Sequence, residues 1–130
     1  MTQLRISEAA ALLGVSDDTL RRWADQGRLP VSTGETGRQV VEGRELARLA
    51  QELADAPEPG HRSARNSLPG IVTKVTKDSV MAQVDLQAGP FRVVSLMSRE
   101  AADELGLDVG SLATATIKAT TVVIETRDPR

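Results

Sequence analysis

The stretch SARNSLPG, Ser63 to Gly70, sets two hydroxyls, a guanidinium and a carboxamide within five positions, just ahead of alternating apolar residues. These side chains are hydrogen-bond donors gathered at the entrance of a predicted strand, with no carboxylate among them. A second concentration lies between Thr19 and Val41, where Arg21, Arg22, Arg28 and Arg38 face only Asp25 and Glu35. That local surplus of bases is modest, in a chain of net charge −2. Catalytic chemistry is not indicated. The single histidine, His61, sits in a polar, Pro-containing stretch that offers nothing to hold it in register, and it reads as a solvated linker residue. No nucleophile–base pair, H-E-x-x-H motif or Gly-rich phosphate loop occurs. With no cysteine, neither a disulfide nor a thiolate metal site is available. No enzyme is expected.

The elements that must carry these groups follow from the apolar pattern. Of 130 residues, 40% are hydrophobic and 26% charged, as in ordinary globular proteins. Trp23 and Phe91 are the only aromatic residues, so the core must be built from Val, Leu, Ile and Ala. No run approaches the roughly 18 apolar residues of a membrane span, and the N-terminal MTQLRISEAA lacks the apolar segment of a signal peptide. A cytoplasmic protein with no membrane partner is expected. Residues 4–53 read as helical and residues 68–125 mostly as strand. Between them DAPEPGHR combines prolines, a glycine and charges, a connector that cannot bury apolar surface. The expected organisation is a domain at 1–54, a linker at 55–62 and a second domain at 63–130. Each half is small enough to make a monomeric core marginal, which points to a homo-oligomer.

In the first half, Ser7 is predicted to cap a helix with Ala9, Ala10, Leu12 and Leu13 on its apolar face, stopped by Gly14. Ser16 is predicted to cap a second helix, with Leu20 and Trp23 inward and Thr19, Arg21 and Arg22 outward. The residues 29–32 and 38–41 read as short paired strands around STGETG, and RELARLAQEL as an amphipathic helix with Leu46, Leu49 and Leu53 on one stripe. Two helices about a Gly-containing turn, followed by a hairpin, match helix-turn-helix geometry, with the second helix suited to the major groove. The stretches ISEAAALLGVSDDTLRRWADQGRLP and GRQVVEGRELARL resemble the winged helix-turn-helix of MerR-type and excisionase-like DNA-binding proteins. The long coiled coil that follows this domain in typical MerR regulators is missing. The resemblance implies double-stranded DNA as a partner, with Ser16, Thr19, Arg21, Arg22 and, on the wing, Arg38 as candidate contacts.

In the second half, residues 71–76 and 80–86 alternate about Lys77, Asp78 and Ser79, a hairpin signal, with Val80, Ala82, Val84 and Leu86 on one side. Residues 91–97 supply a third strand, Ser98 caps a short helix over 99–105, and strands follow at 112–118 and 121–125. Short strands with one inserted helix predict an OB-like β-barrel, making the whole chain α+β. The stretches SARNSLPGIVTKV, LMSREAADELGLDVGS and ATIKATTVVI resemble the molbindin, or Mop-type TOBE, domain. Members bind molybdate or tungstate at subunit interfaces. Transferred by position, the resemblance implies Ser63, Arg65, Ser98, Lys118, Ala119 and Thr120 as oxyanion ligands, the last three including the Ala119 backbone N–H. The metal itself would be met only as its oxyanion, with no direct protein ligand. Ser98 stands where many members have Thr, and Thr120 where many have Ser; both keep a hydroxyl.

The donor-only character suits this chemistry. Molybdate and tungstate are dianions with no proton at neutral pH, so every oxygen accepts; hydrogen phosphate carries a proton that seeks an acceptor. Asn66 reads as structural, satisfying backbone groups at the strand entrance. The joined halves lead to the expectation of a cytoplasmic molybdate- or tungstate-responsive transcriptional regulator, a dimer or trimer of dimers. The alternatives are a storage protein whose helical half mediates interactions, or a DNA-binding architectural protein whose barrel only oligomerises.

Overall fold

The change from helical to strand-like spacing near the middle of the chain is matched by a division into two units, 1–56 and 57–130. The computed structural model describes residues 2–54 and 62–127. Of the expected linker only Arg62 belongs to them; the rest, including His61, lies outside the described residues.

In the first unit a short strand β1 (Gln3–Arg5) leads into helix α1 (Ile6–Leu13). The helix begins before Ser7, the expected cap. Arg5 holds the cap position because the Glu8 carboxylate reaches back to accept its backbone N–H at 3.0 Å. Gly14, at φ 71°, takes the left-handed turn that ends α1, and the Val15 N–H closes on the Ala10 carbonyl. Ser16 then caps helix α2 (Asp17–Asp25), its Oγ accepting the Thr19 N–H at 3.1 Å. Two strands form the wing: β2 (Ser32–Thr33) pairs antiparallel with β3 (Gln39–Glu42), and β1 pairs with the other edge of β3. Helix α3 (Gly43–Leu53) buries Leu46 and Leu49 but leaves Leu53 exposed at its end. The core joins Ile6, Ala9, Ala10, Leu20, Leu29, Val41, Leu46 and Leu49. Arg48 ties α3 to the end of α2 by donating to the Arg28 carbonyl, while Arg28 stacks over Trp23.

The second unit is an antiparallel sheet in the order β6-β5-β4-β7, with β4 (Asn66–Lys77), β5 (Met81–Ala88), β6 (Phe91–Ser98) and β7 (Leu112–Ile117). The β4–β5 hairpin is pinned by Asp78, whose Oδ1 accepts the N–H groups of Val80 and Met81. Those two bonds hold the Asp78 carboxyl below its usual range. Helix α4 (Arg99–Glu104) and a loop fastened to Val72 then carry the chain across to β7.

Strand β4 is the hinge of the sheet. Its first half pairs with β7 and its second half with β5, with an irregularity between Val72 and Lys74. Gly70 sits at the changeover. A Cβ there would lie 2.3 Å from the Gln87 carbonyl oxygen, so only glycine lets β5 approach. The core behind this crossing is small: Val72, Val84 and Leu86 are buried, with Ala113 and Ala115 packed against them. The last expected strand, over residues 121–125, does not form. A 3-10 turn (Ala119–Thr121) is followed by chain that pairs with no strand, and Val123 and Ile124 are 83% and 81% exposed. A β-branched stretch needs a neighbour's hydrogen bonds to become a strand, and none of the described residues provides them.

Asp85 on β5 is only 6% exposed. Arg92 holds its carboxylate at 2.8 Å from across the β5–β6 pair, and Gln83 adds a bond of 3.3 Å. These bonds, Arg92 first, depress its pKa.

Two predictions follow from these contacts. Gly70→Ala forces the β4–β5 crossing apart and costs about 1–3 kcal/mol, read as a lowered melting temperature of the second unit; unchanged melting would contradict the close approach. Because the folded pKa of Asp85 lies below the unfolded one, its stabilisation is present above the unfolded value and lost as pH falls through the folded value. Denaturant titrations at decreasing pH should show Asp85→Asn flattening the acid loss of stability; a variant curve parallel to wild type would count against the pair.

Candidate functional site

The register of β4 with β7 runs from Ile71 opposite Leu112 to Asn66 opposite Ile117. Asn66 locks that last rung, its Nδ2 donating to the Ile117 carbonyl at 3.0 Å, the backbone role its position suggested. Extended one step beyond that last rung, the same register would set Arg65 opposite Lys118. Opposed residues of an antiparallel pair share a face, so that extension would place both cations on one side of the strand end. Neither forms an ion pair among the described residues, and residues 62–68 and 116–124 contain no carboxylate.

Beyond Lys118 the chain turns sharply. The N–H and Oγ1 of Thr121 both donate to the Lys118 carbonyl, at 3.0 and 2.9 Å. Ala119 and Thr120 thus sit on a tight turn just after Lys118, and Ser63 lies two residues before Arg65; all five residues are exposed. The first N–H groups of such a turn have no carbonyl behind them within it. These exposed donors and two cations, with no carboxylate in the adjoining segments, make a candidate cluster for a fully deprotonated oxyanion.

Ser98 is not part of that cluster within one chain. It ends β6 opposite Met81, beside the Asp78 turn, at the Lys77 end of β4. Strand β4 has 12 residues between the two ends, a span on the order of 40 Å at roughly 3.3 Å per residue. Ser98 also serves as the cap of α4, its Oγ accepting the Ala101 N–H at 3.1 Å. Accepting leaves its own hydroxyl proton free to donate, so capping and ligand binding are compatible. One chain therefore carries two separated portions of the expected ligand set.

In the first unit, Ser16 and Thr19 are occupied with each other: besides the cap, the Ser16 hydroxyl donates to Thr19 Oγ1 at 2.9 Å. Arg21 and Arg22 project from α2 into solvent, Arg21 touching Asp18 at 3.6 Å, and Arg38 stands exposed beside the wing. Arg22 and Arg38 have no ion pair among the described residues. Arg5, which the sequence did not single out, lines the same cleft as Arg21 and Arg38. Its signal was weak because β1, the strand that brings it there, spans only three residues.

Fold and site together define a two-part binding protein: a helix-turn-helix unit joined to an OB-like antiparallel module with a cationic strand end. Residues 4–54 match the Helix-turn-helix domain family and residues 62–124 the TOBE domain family. The molybdenum-pterin-binding protein 3 of Clostridium pasteurianum is 44% identical over 63 residues, 48% of this chain and 93% of that protein. A probable molybdenum-pterin-binding protein of Haemophilus influenzae is also 44% identical over 63 residues, covering 91% of its length. Among solved structures, a molybdate binding protein from Sporomusa ovata superposes with a TM-score of 0.50 at 27% identity, over 52% of this chain and all of that one. The chain belongs, through its second unit, to the molybdenum-pterin-binding (Mop, TOBE-domain) family, and it carries a helix-turn-helix domain ahead of that module. Neither family is catalytic. No helix of the described residues is long and apolar enough to cross a membrane.

The Asn66 rung yields a direct test. Asn66→Ala removes a bond worth about 1 kcal/mol and should speed amide hydrogen exchange across Thr116–Thr121 by roughly fivefold. Unchanged exchange there would mean that the side chain does not hold the strand end.

Proposed function

We propose that the chain is a cytoplasmic, molybdate- or tungstate-responsive transcriptional regulator, binding double-stranded DNA through its first unit and the oxyanion through its second. The observation that carries this reading is that Arg65 and Lys118, neither in an ion pair among the described residues, directly flank the last rung of the β4–β7 ladder, in a chain that also has a helix-turn-helix. Two like charges held together are unfavourable until an anion lies between them. Arg65 and Lys118 supply the charge, Ser63, Ser98 and Thr120 the hydroxyls, and Ala119 a backbone N–H. The relatives named as binding molybdate or molybdenum-pterin support the class of ligand.

The ligand set spans the two ends of one sheet, so a complete cage takes Ser98 from a second copy of the chain. The exposed apolar surface supports that assembly: Leu112 is 85% exposed, and Phe91, Leu96, Val123 and Ile124 lie open as well. The unpaired stretch after Thr121 is suited to become a strand against another copy, in a dimer or a trimer of dimers. An ion shared between copies favours the assembled state by its differential affinity, and this is what makes a switch.

Calorimetry of the full chain against molybdate, tungstate and sulfate tests the reading. Molybdate and tungstate should bind, sulfate far more weakly, and Lys118→Ala should lose at least tenfold in affinity with its melting behaviour retained. Undiminished affinity of that variant would remove the site. Fluorescence anisotropy with labelled duplex should change on adding molybdate. Oxyanion binding without duplex binding in either state would favour a storage protein, and duplex binding without oxyanion binding an architectural one.

A further inference from the structure

The first unit holds a cleft of about 330 Å³ where the start of α1, the start of α2 and the wing strand β3 meet. Three arginines from three separate elements line it: Arg5 from β1, Arg21 from α2 and Arg38 beside β3. Ser7 and Gln39 add a hydroxyl and a carboxamide, and Asp17 is the one carboxylate in the lining. We propose that this cleft takes a phosphate of the DNA backbone, clamped by Arg5 and Arg38 with Arg21 at its edge. The inference rests on the DNA-binding reading and deepens it: Arg21 is assigned to the backbone, leaving Arg22 for the groove, and Arg5 joins the interface.

Three observations support it. Arg38 has no carboxylate partner among the described residues, so its guanidinium is uncommitted. The existing partners of the other two are weak: Glu8 meets Arg5 through Nε at 3.3 Å, and Asp18 meets Arg21 at 3.6 Å while itself 97% exposed. Solvent-exposed pairs of this kind contribute little, so a phosphate can displace them. A guanidinium fork also matches phosphate geometry in a way that a lone ammonium does not. Finally, the cleft lies between the helix suited to the major groove and the wing, along which a bound backbone has to run. The Asp17 carboxylate opposes an anion, which is why more than one arginine is needed.

The test is anisotropy of the full chain on a labelled duplex of mixed sequence, titrated at several salt concentrations. Arg5→Gln and Arg38→Gln should each weaken binding several-fold and make the salt slope shallower by up to about 0.9, the share of one phosphate. The double variant should lose less than the product of the two single losses, because both side chains grip the same group. Arg44→Gln, exposed on α3 away from the cleft, should bind as wild type. Arg5→Lys should keep the slope because it keeps the charge, even where losing the fork weakens binding; a slope as shallow as that of Arg5→Gln would assign Arg5 a purely structural role and overturn the proposal. Wild-type affinity and slope in Arg5→Gln, while Arg22→Gln still weakens binding, would overturn the clamp and leave the DNA reading standing. Absence of duplex binding by the wild-type chain, with and without molybdate, would overturn both.

Discussion

The site proposed for the second unit depends on one constraint: the β4–β7 ladder that ends at Asn66 opposite Ile117, one residue short of Arg65 and Lys118. Two cations on neighbouring segments repel, weakly in water and more strongly where solvent is excluded. The backbone must supply what the side chains oppose. It does so through the Asn66 bond to Ile117, through the turn that hangs two donors on the Lys118 carbonyl, and through Gly70, which lets β4 pass from one partner strand to the other. Under the proposed function, a dianion bound between the two cations would relieve whatever repulsion their placement creates.

A second constraint acts with the first. The core of the second unit is a thin layer around Val72, Val84 and Leu86, while larger apolar side chains such as Phe91, Leu96 and Leu112 face outwards. A module of this size gains much of its burial only by association. Under the proposed function, ion and assembly are then linked: whatever binds the assembled form and not the separate chains stabilises it by mass action. The first unit has the opposite character. Its core joins Ile6, Ala9, Ala10, Leu20, Leu29, Val41, Leu46 and Leu49 in one cluster within one chain.

Much of this was legible from residue order. The Gly14 turn, the Ser16 cap, the wing hairpin and the strand–helix–strand order of the second half all rest on local chemistry that short windows contain. What the sequence hid are effects of pairing across distance. Strand β4 runs through Pro69 and Gly70 because β7 and β5 take turns as its partner, and no local pattern announces that. Residues 121–125 look like a strand and are not one here, since propensity without a partner forms no ladder. Asp85 is buried because Arg92 crosses over it. The ligand set was readable as residue types, yet only the register reveals that Ser98 stands at the far end of the sheet from the two cations.

A crystal structure of the tungstate-soaked protein, with tungsten located by its anomalous scattering, tests the central claim most directly. The account predicts the metal within hydrogen-bonding reach, through its oxygens, of Arg65 and Lys118 from one chain and Ser98 from another. Tungsten bound away from both cations, or caged entirely by residues of a single chain, would contradict it.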